Sequence, residues 1–247
     1  MQEVIRNYTT ITEAIQICLQ RNLHFASYRL PGEKNISMII QKTPELHAVS
    51  GLDHHLPEKG FLIAPFSREK NETWLIRPDI VLKDNPDMAD LDVLQSIKKS
   101  GDYPVMSFPS DTKKADYLRL IEKSIVNINA GSFEKVVLSR VKSVKGSFRP
   151  QVISIFQTLC TSYPDAFVYL FCVKGQCWIG ASPEPFICSQ QNELKTVSLA
   201  GTRPYHQKNL DLSTWNHKEL EEQEFVTRHI EKILRNYNIS SFSKKGP

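Results

Sequence analysis

Read from the N-terminus, the spacing of apolar residues changes period several times. Ile11, Ile15, Cys18 and Leu19 recur at helical spacing, and Thr10 with Glu13 has the form of a capping box, so a first helix is predicted from Thr10. Four short β-rich runs follow: Phe25 to Tyr28, Ser37 to Ile40, Phe61 to Ala64 and Thr73 to Ile76. Turn-forming clusters such as Pro31-Gly32 and Asn85-Pro86 separate or follow them. This half predicts antiparallel sheet with one helix. A second helix over Asp111 to Asn129 puts Leu118, Ile121, Ile125 and Ile128 on one face and stops at Gly131.

The period then falls to two. Phe133-Glu-Lys-Val-Val-Leu-Ser-Arg140 predicts a strand with Lys135, Val137 and Ser139 on one side and Val136, Leu138 and Arg140 on the other. A third helix, around Val152 to Cys160, precedes strands at Ala166 to Val173 and Gln176 to Gly180, joined as a tight hairpin at Lys174-Gly175. Ser182-Pro-Glu-Pro185 interrupts the ladder. A strand over Leu194 to Leu199 then runs into Ala200-Gly-Thr-Arg-Pro204, and a long helix covers about Asn216 to Tyr237.

Composition narrows the class without naming it. A chain of 247 residues is long enough for one large domain or two ordinary ones, and buries roughly 70–75% of its extended surface. A hydrophobic share of 40% against 23% charged residues, with no repeat, excludes a disordered or fibrous chain. The net charge of +4 is scattered, and no basic run interleaved with aromatics forms a nucleic-acid groove. The five cysteines show no C-x-x-C spacing and are expected to be reduced core thiols. Glu3, Arg6 and Glu13 among the first residues argue against a secretory signal or a membrane span, so a cytoplasmic protein is expected.

Three ionisable residues stand where chemistry is done, each with a plainer explanation beside it. Steps of about 100° along the last helix bring Glu219 and Glu222 into line with Val226, Ile230, Ile233 and Tyr237. A carboxylate on an apolar stripe is costly unless paired, protonated or bound to a cation. Glu219 is also placed to complete a capping box from Asn216, which suffices to explain it, whereas Glu222 lies a turn deeper. Lys135 reads equally as a lysine protecting an edge strand. Glu184 is either a solvated turn residue or an acid held rigidly between Pro183 and Pro185.

Phe133 to Arg140, Gly180-Ala-Ser-Pro-Glu184, Leu199-Ala-Gly-Thr-Arg203 and Lys218-Glu-Leu-Glu-Glu-Gln223, in that order, resemble the chorismate-utilising enzymes, the anthranilate synthase component I-like family. The likeness is to isochorismate synthases in particular. It covers Ser107 onward well and the N-terminal half less specifically. It implies a variable part over residues 1–106 and a chorismate-binding core over 107–247. The implied fold is α+β, with two large, mainly antiparallel sheets packed together and helices outside.

The same resemblance implies roles. Lys135 would be the catalytic base and Glu184 the acid, Glu222 would bind Mg2+, and Gly201 and Thr202 would bind the substrate chorismate. Lysine at 135 accompanies water as nucleophile in this family, where ammonia users typically carry glutamine, and aminodeoxychorismate synthases typically carry lysine at the position of Ala200. The implied activity is therefore isochorismate synthase, an isomerase, feeding menaquinone or siderophore synthesis and needing no glutamine amidotransferase subunit. Salicylate synthase and a binding-only remnant are the alternatives. Free lysine and glutamate titrate near ~10.4 and ~4.3, so burial would have to move both toward neutrality, and direct pairing of Lys135 with Glu184 would oppose that.

Two departures from the family stand out. Gln223 replaces the usual histidine, and family members continue with a segment that supplies another metal carboxylate. Without that segment, exposed apolar edges and self-association of the chain are expected.

Overall fold

In the computed structural model, residues 9–49, 59–67, 72–103, 110–207, 211–239 and 241–245 are described. The cap expected at Thr10 rests on a side chain outside that description, as does the boundary expected between residues 106 and 107. The fold is mixed helix and antiparallel sheet. Contacts divide it into two compact units, Met1–Phe108 with Lys145–Pro183, and Pro109–Val144 with Glu184–Pro247.

The first unit is built on a five-stranded antiparallel sheet. Its strands are β1 (His24–Arg29), β2 (Ser37–Gln41), β6 (Ile80–Lys83), β7 (Phe167–Val173) and β8 (Gln176–Ser182), in the order β6-β2-β1-β7-β8. A second sheet of β3 (His47–Val49), β4 (Phe61–Ile63) and β5 (Thr73–Ile76) has β5 in the middle. The α-helices among its described residues are α1 (Thr9–Gln20), α2 (Met88–Ser96) and α4 (Val152–Ser162).

Alternation along the strands sorts side chains to two faces. Phe25, Met38, Ile40, Val168 and Leu170 point toward the helices, where Ile11, Ile15, Cys18, Leu91, Leu94 and Phe156 cover them. Ala26, Ile39 and Val173 point the other way, against Ile76 and the half-buried Phe61, Ile63 and Trp74 of the small sheet. The central strands are thus buried on both faces. Each fully buried Phe or Leu stabilises such a core by about 1.5–3 kcal/mol.

Lys174 and Gly175 both have positive φ, 48° and 74°, the paired left-handed geometry that a two-residue hairpin requires. The resulting register sets Cys172 directly opposite Cys177, and the two form a disulfide. The expectation of reduced core thiols is therefore corrected for this pair and for the exposed Cys188, while Cys18 and Cys160 are buried thiols. Burial pushes both of these up from the ordinary thiol value.

Elements the sequence pattern did not predict are short. α2 carries an Asp87–Asp90 capping box rather than a Ser/Thr–Glu one and buries only Leu91 and Leu94. β3 and β6 are three and four residues long and are stabilised by their pairing with β5 and β2.

Two buried polar residues fasten this unit. Arg29, only 2% exposed, donates to the carbonyls of Tyr163, Pro164 and Ala166 at the end of α4, and to those of Leu30 and Glu33. A cation at a helix C-terminus is also favoured by the helix dipole. His24, 1% exposed, has Nε2 at 2.8 Å from the Pro44 carbonyl oxygen and 3.2 Å from the Tyr103 hydroxyl, and its Nδ1 accepts the Lys174 N–H at 3.4 Å. A neutral ring with the proton on Nε2 satisfies both ends.

In the second unit, α3 (Lys114–Asn129) ends in a Schellman arrangement. Ser132 N–H donates to the Asn127 carbonyl, Gly131 N–H donates to that of Ile128, and Gly131 has φ 74°. The helix starts later than Asp111. Asp111 instead accepts from Ser143, whose hydroxyl and backbone N–H hold its carboxyl below the ordinary range. The face expected to be apolar on α3 is not buried, since Leu118, Ile125 and Ile128 are 46%, 52% and 37% exposed. α5 (His217–Asn236) forms as predicted, with the Asn216–Glu219 capping box and a stop at Asn238, φ 59°. β9 (Cys188–Gln190) and β10 (Glu193–Lys195) make a small ladder.

Replacing Arg29 with alanine leaves several buried carbonyls without a donor and is expected to cost about 3 kcal/mol or more in denaturant unfolding. A loss below about 1 kcal/mol would show that water reaches those carbonyls. For His24, burial holds the ring below its ordinary value of 6.5, helped by the Lys174 charge and opposed by the hydrogen bond to Pro44 and by Glu45. The unfolded chain therefore takes up the proton first. Stability from the neutral ring is complete above the unfolded value near 6.5 and is lost as pH falls toward the lower folded value. Unfolding free energy is expected to decline below about pH 6.5, by up to ~1.4 kcal/mol per pH unit, and His24→Gln is expected to flatten that decline. An identical pH slope in the variant would contradict the assignment.

Candidate active site

Lys135, Glu184, Gly201, Thr202 and Glu222 all fall in the second unit. The strand expected over Phe133 to Arg140 is not formed; that stretch is irregular. Alternation tells which side a residue faces, but a strand also needs a neighbouring backbone. Among the described residues of this unit, the only ladder is β9 with β10, so the strand expected over Leu194 to Leu199 survives only in Glu193–Lys195. Residues 196–203 are irregular.

Side chains of α5 substitute for the absent neighbour. Glu219, Gln223 and Thr227 recur every four residues and so share one face of the helix. Gln223 accepts the Ala200 N–H at 2.9 Å and donates to the Ser198 carbonyl at 2.7 Å and the Ser198 hydroxyl at 2.9 Å. Thr227, the buried residue of α5, shares a 2.9 Å hydrogen bond with the Ser198 hydroxyl. Glu219 accepts the Asn216 N–H on one oxygen and pairs with Arg203 Nε, at 3.3 Å, on the other. Its capping role is thereby met in full.

Gly201 lies against the start of this helix. A Cβ there would come within 2.8 Å of the Trp215 ring and 3.0 Å of the Glu219 carbonyl oxygen, so only glycine permits the approach. Arg203 donates to the Thr214 carbonyl at 2.7 Å, and its guanidinium lies 5.9 Å from the centre of the Trp215 ring. Thr202 is exposed, and its hydroxyl donates to the Ala200 carbonyl at 3.3 Å, a long bond that is readily exchanged.

Glu222 points away from that seam, and its Oε1 meets Lys135 Nζ at 3.2 Å. The two side chains are 43% and 26% exposed. Lys135 thus pairs with Glu222, and Glu184 is exposed between its two prolines. The apolar stripe expected beside Glu222 is not a buried one, since Ile233 and Tyr237 are 41% and 77% exposed. Among the described residues no group of three or more His, Cys, Asp or Glu gathers as a metal cage. A half-exposed carboxylate nonetheless fits Mg2+, which commonly takes one or two carboxylates and keeps several waters. Among the described residues no helix is long and apolar enough to cross a membrane.

Sequence reasoning marked Gln223 only as an unusual residue and passed over Ser198, Arg203, Trp215 and Thr227. The repeat of polar residues at 219, 223 and 227 on one helix face was the signal available for them.

The family described as chorismate binding enzyme matches residues 75–245, a span that contains all five site residues. Anthranilate synthase component 1 of Saccharolobus solfataricus is 28% identical over 47% of this chain and 27% of its own length. That of Acetivibrio thermocellus is 26% identical over 64% of this chain and 31% of its own length. Isochorismate synthase MenF of Bacillus subtilis is 27% identical over 42% of this chain and 22% of its own length. The chain thus matches less than a third of the length of each of these relatives.

Gly201→Ala is expected to lower stability by about 1–3 kcal/mol in denaturant unfolding, because either Trp215 or the first turn of α5 must move. Unchanged stability would mean that the contact with Trp215 and Glu219 relaxes freely.

Proposed function

The chain belongs to the chorismate-binding enzyme family, and on that premise we propose that it serves the Mg2+-dependent conversion of chorismate to isochorismate. The observation that carries this reading is the 3.2 Å contact between Lys135 and Glu222, which brings an amine and a carboxylate within reach of one small ligand. Lys135 together with Ala200 supports water as the nucleophile over ammonia or an enzyme amine. The names among the relatives include both anthranilate and isochorismate synthases, so the choice between them rests on these two positions.

In the proposed reaction, water adds at C2 of chorismate as the C4 hydroxyl leaves. Lys135 takes the proton from the attacking water, and Glu184 gives one to the departing hydroxyl. Lys135 must first leave Glu222 and release a proton to solvent, because only the neutral amine has a lone pair with which to take the proton of the attacking water. Glu184, held between Pro183 and Pro185, would work at a different edge of the ring. In the reverse direction the two exchange roles. The Gly201 backbone and the Thr202 hydroxyl, which gives up its long bond to Ala200, bind substrate oxygens. Glu222 would hold Mg2+, which when bound supplies positive charge for a substrate carboxylate. The isochorismate formed would enter menaquinone synthesis, with a siderophore route as the other use.

The purified chain, supplied with chorismate and Mg2+, is expected to yield isochorismate by chromatography, and Lys135→Ala is expected to lose at least ~100-fold in rate. Undiminished turnover in that variant would remove Lys135 from the role of base. Salicylate with pyruvate would assign the chain to salicylate synthesis, and anthranilate in the presence of ammonia to anthranilate synthesis. Binding of chorismate without any product would make it a binding module.

A further inference from the structure

Two of the three hydrogen bonds of Gln223 meet the peptide groups that flank Leu199, and the third meets the Ser198 hydroxyl. Its oxygen takes the Ala200 N–H, and its nitrogen serves the Ser198 carbonyl and hydroxyl. A neighbouring strand would satisfy the same carbonyl and N–H, and among the described residues this stretch is in no ladder. Immediately beyond the clip lie Gly201, seated against Trp215 and the Glu219 carbonyl, and the exposed Thr202. We propose that Gln223 is a positioning residue that clips Ser198 and Ala200 to α5 and thereby fixes the Gly201–Thr202 turn against the start of that helix.

The chemistry of the side chain supports this assignment over a general packing role. A primary carboxamide carries two N–H donors and one carbonyl acceptor on one planar group, and all three kinds of contact are used. Glutamate in its place could only accept, and its charge would face the Ser198 carbonyl. A neutral histidine has one donor and one acceptor, too few for three bonds. Glu222 precedes Gln223 in the helix, so the residue that meets Lys135 and the residue that sets the turn move as one rigid piece. On this inference the spacing between the segment before Gly201 and α5 is fixed by the length of one side chain. It rests on the proposed function only in taking the Gly201–Thr202 turn as a substrate contact.

Gln223→Met keeps the length of the side chain and removes its donors and acceptor. Amide hydrogen exchange by NMR is expected to quicken about tenfold at Ala200, Gly201 and Thr202, with amides of α5 beyond Thr227 unchanged. The dissociation constant for chorismate is expected to rise by about tenfold in the same variant, and Gln223→His is expected to recover part of both effects. Unchanged exchange at Ala200 would overturn the proposal. So would faster exchange with unaltered affinity, which would mean that the bonds hold the segment without setting the turn. Equal loss of protection along α5 would likewise replace positioning with general destabilisation. Failure of the wild-type chain to bind chorismate would count against the proposed function, and exchange at residues 200–202 would then decide the clip alone.

Discussion

The first unit depends on the antiparallel pairing of β1 with β7, in which Phe25 faces Cys172 and Tyr28 faces Tyr169. Closing so long a loop costs chain entropy, but that cost grows only slowly with loop length. It is offset because the pair is buried on both faces, by helices against Phe25, Val168 and Leu170, and by the small sheet against Ala26 and Val173. The further bonds reinforce the same join. Arg29 ties the end of β1 to the end of α4, and His24 ties its start to the hairpin turn at Lys174.

That pairing also shapes how the site residues are distributed along the chain. Residues 145–183 belong to the first unit, so the second unit is made of two stretches, one ending before them and one beginning after them. Lys135 comes from the first stretch and Glu222 from the second, 87 residues later. Their contact and the exchange of bonds between Asp111–Thr112 and Val141–Ser143 join its parts through polar groups, and among the described residues of this unit no apolar side chain is buried. Helix α3 illustrates the balance, since none of its residues is buried. Backbone groups without a ladder partner need other partners, and α5 provides them through Gln223.

Much of the fold was legible because its signals are local. α1 follows from Ile11, Ile15 and Cys18, the hairpin from Lys174-Gly175, the end of α3 from Gly131, and the start of α5 from Asn216 with Glu219. Each needs only a few neighbouring residues to specify a backbone conformation. α2 was missed because only two of its nine residues, Leu91 and Leu94, are buried, which makes a short and weak periodic signal, and β6 because a four-residue strand is stabilised mainly by its partner, β2. The alternation at residues 133–140 was real but did not make a strand, since a ladder needs a second backbone.

For the site, the sequence by itself determined which residues are candidates. The order of its motifs marked Lys135, Glu184, Gly201, Thr202 and Glu222, and the capping pattern separated Glu219 from Glu222 within one helix. Tertiary structure alone decided that Lys135 meets Glu222, that Cys172 bonds to Cys177, and that Gln223 holds the segment before Gly201. The reason is physical. Turns, caps and helix faces are set by interactions among residues a few positions apart, whereas these contacts exist only after distant segments have been brought together. Nothing in the local pattern around Lys135 distinguishes a carboxylate 49 residues away, at Glu184, from one 87 residues away, at Glu222.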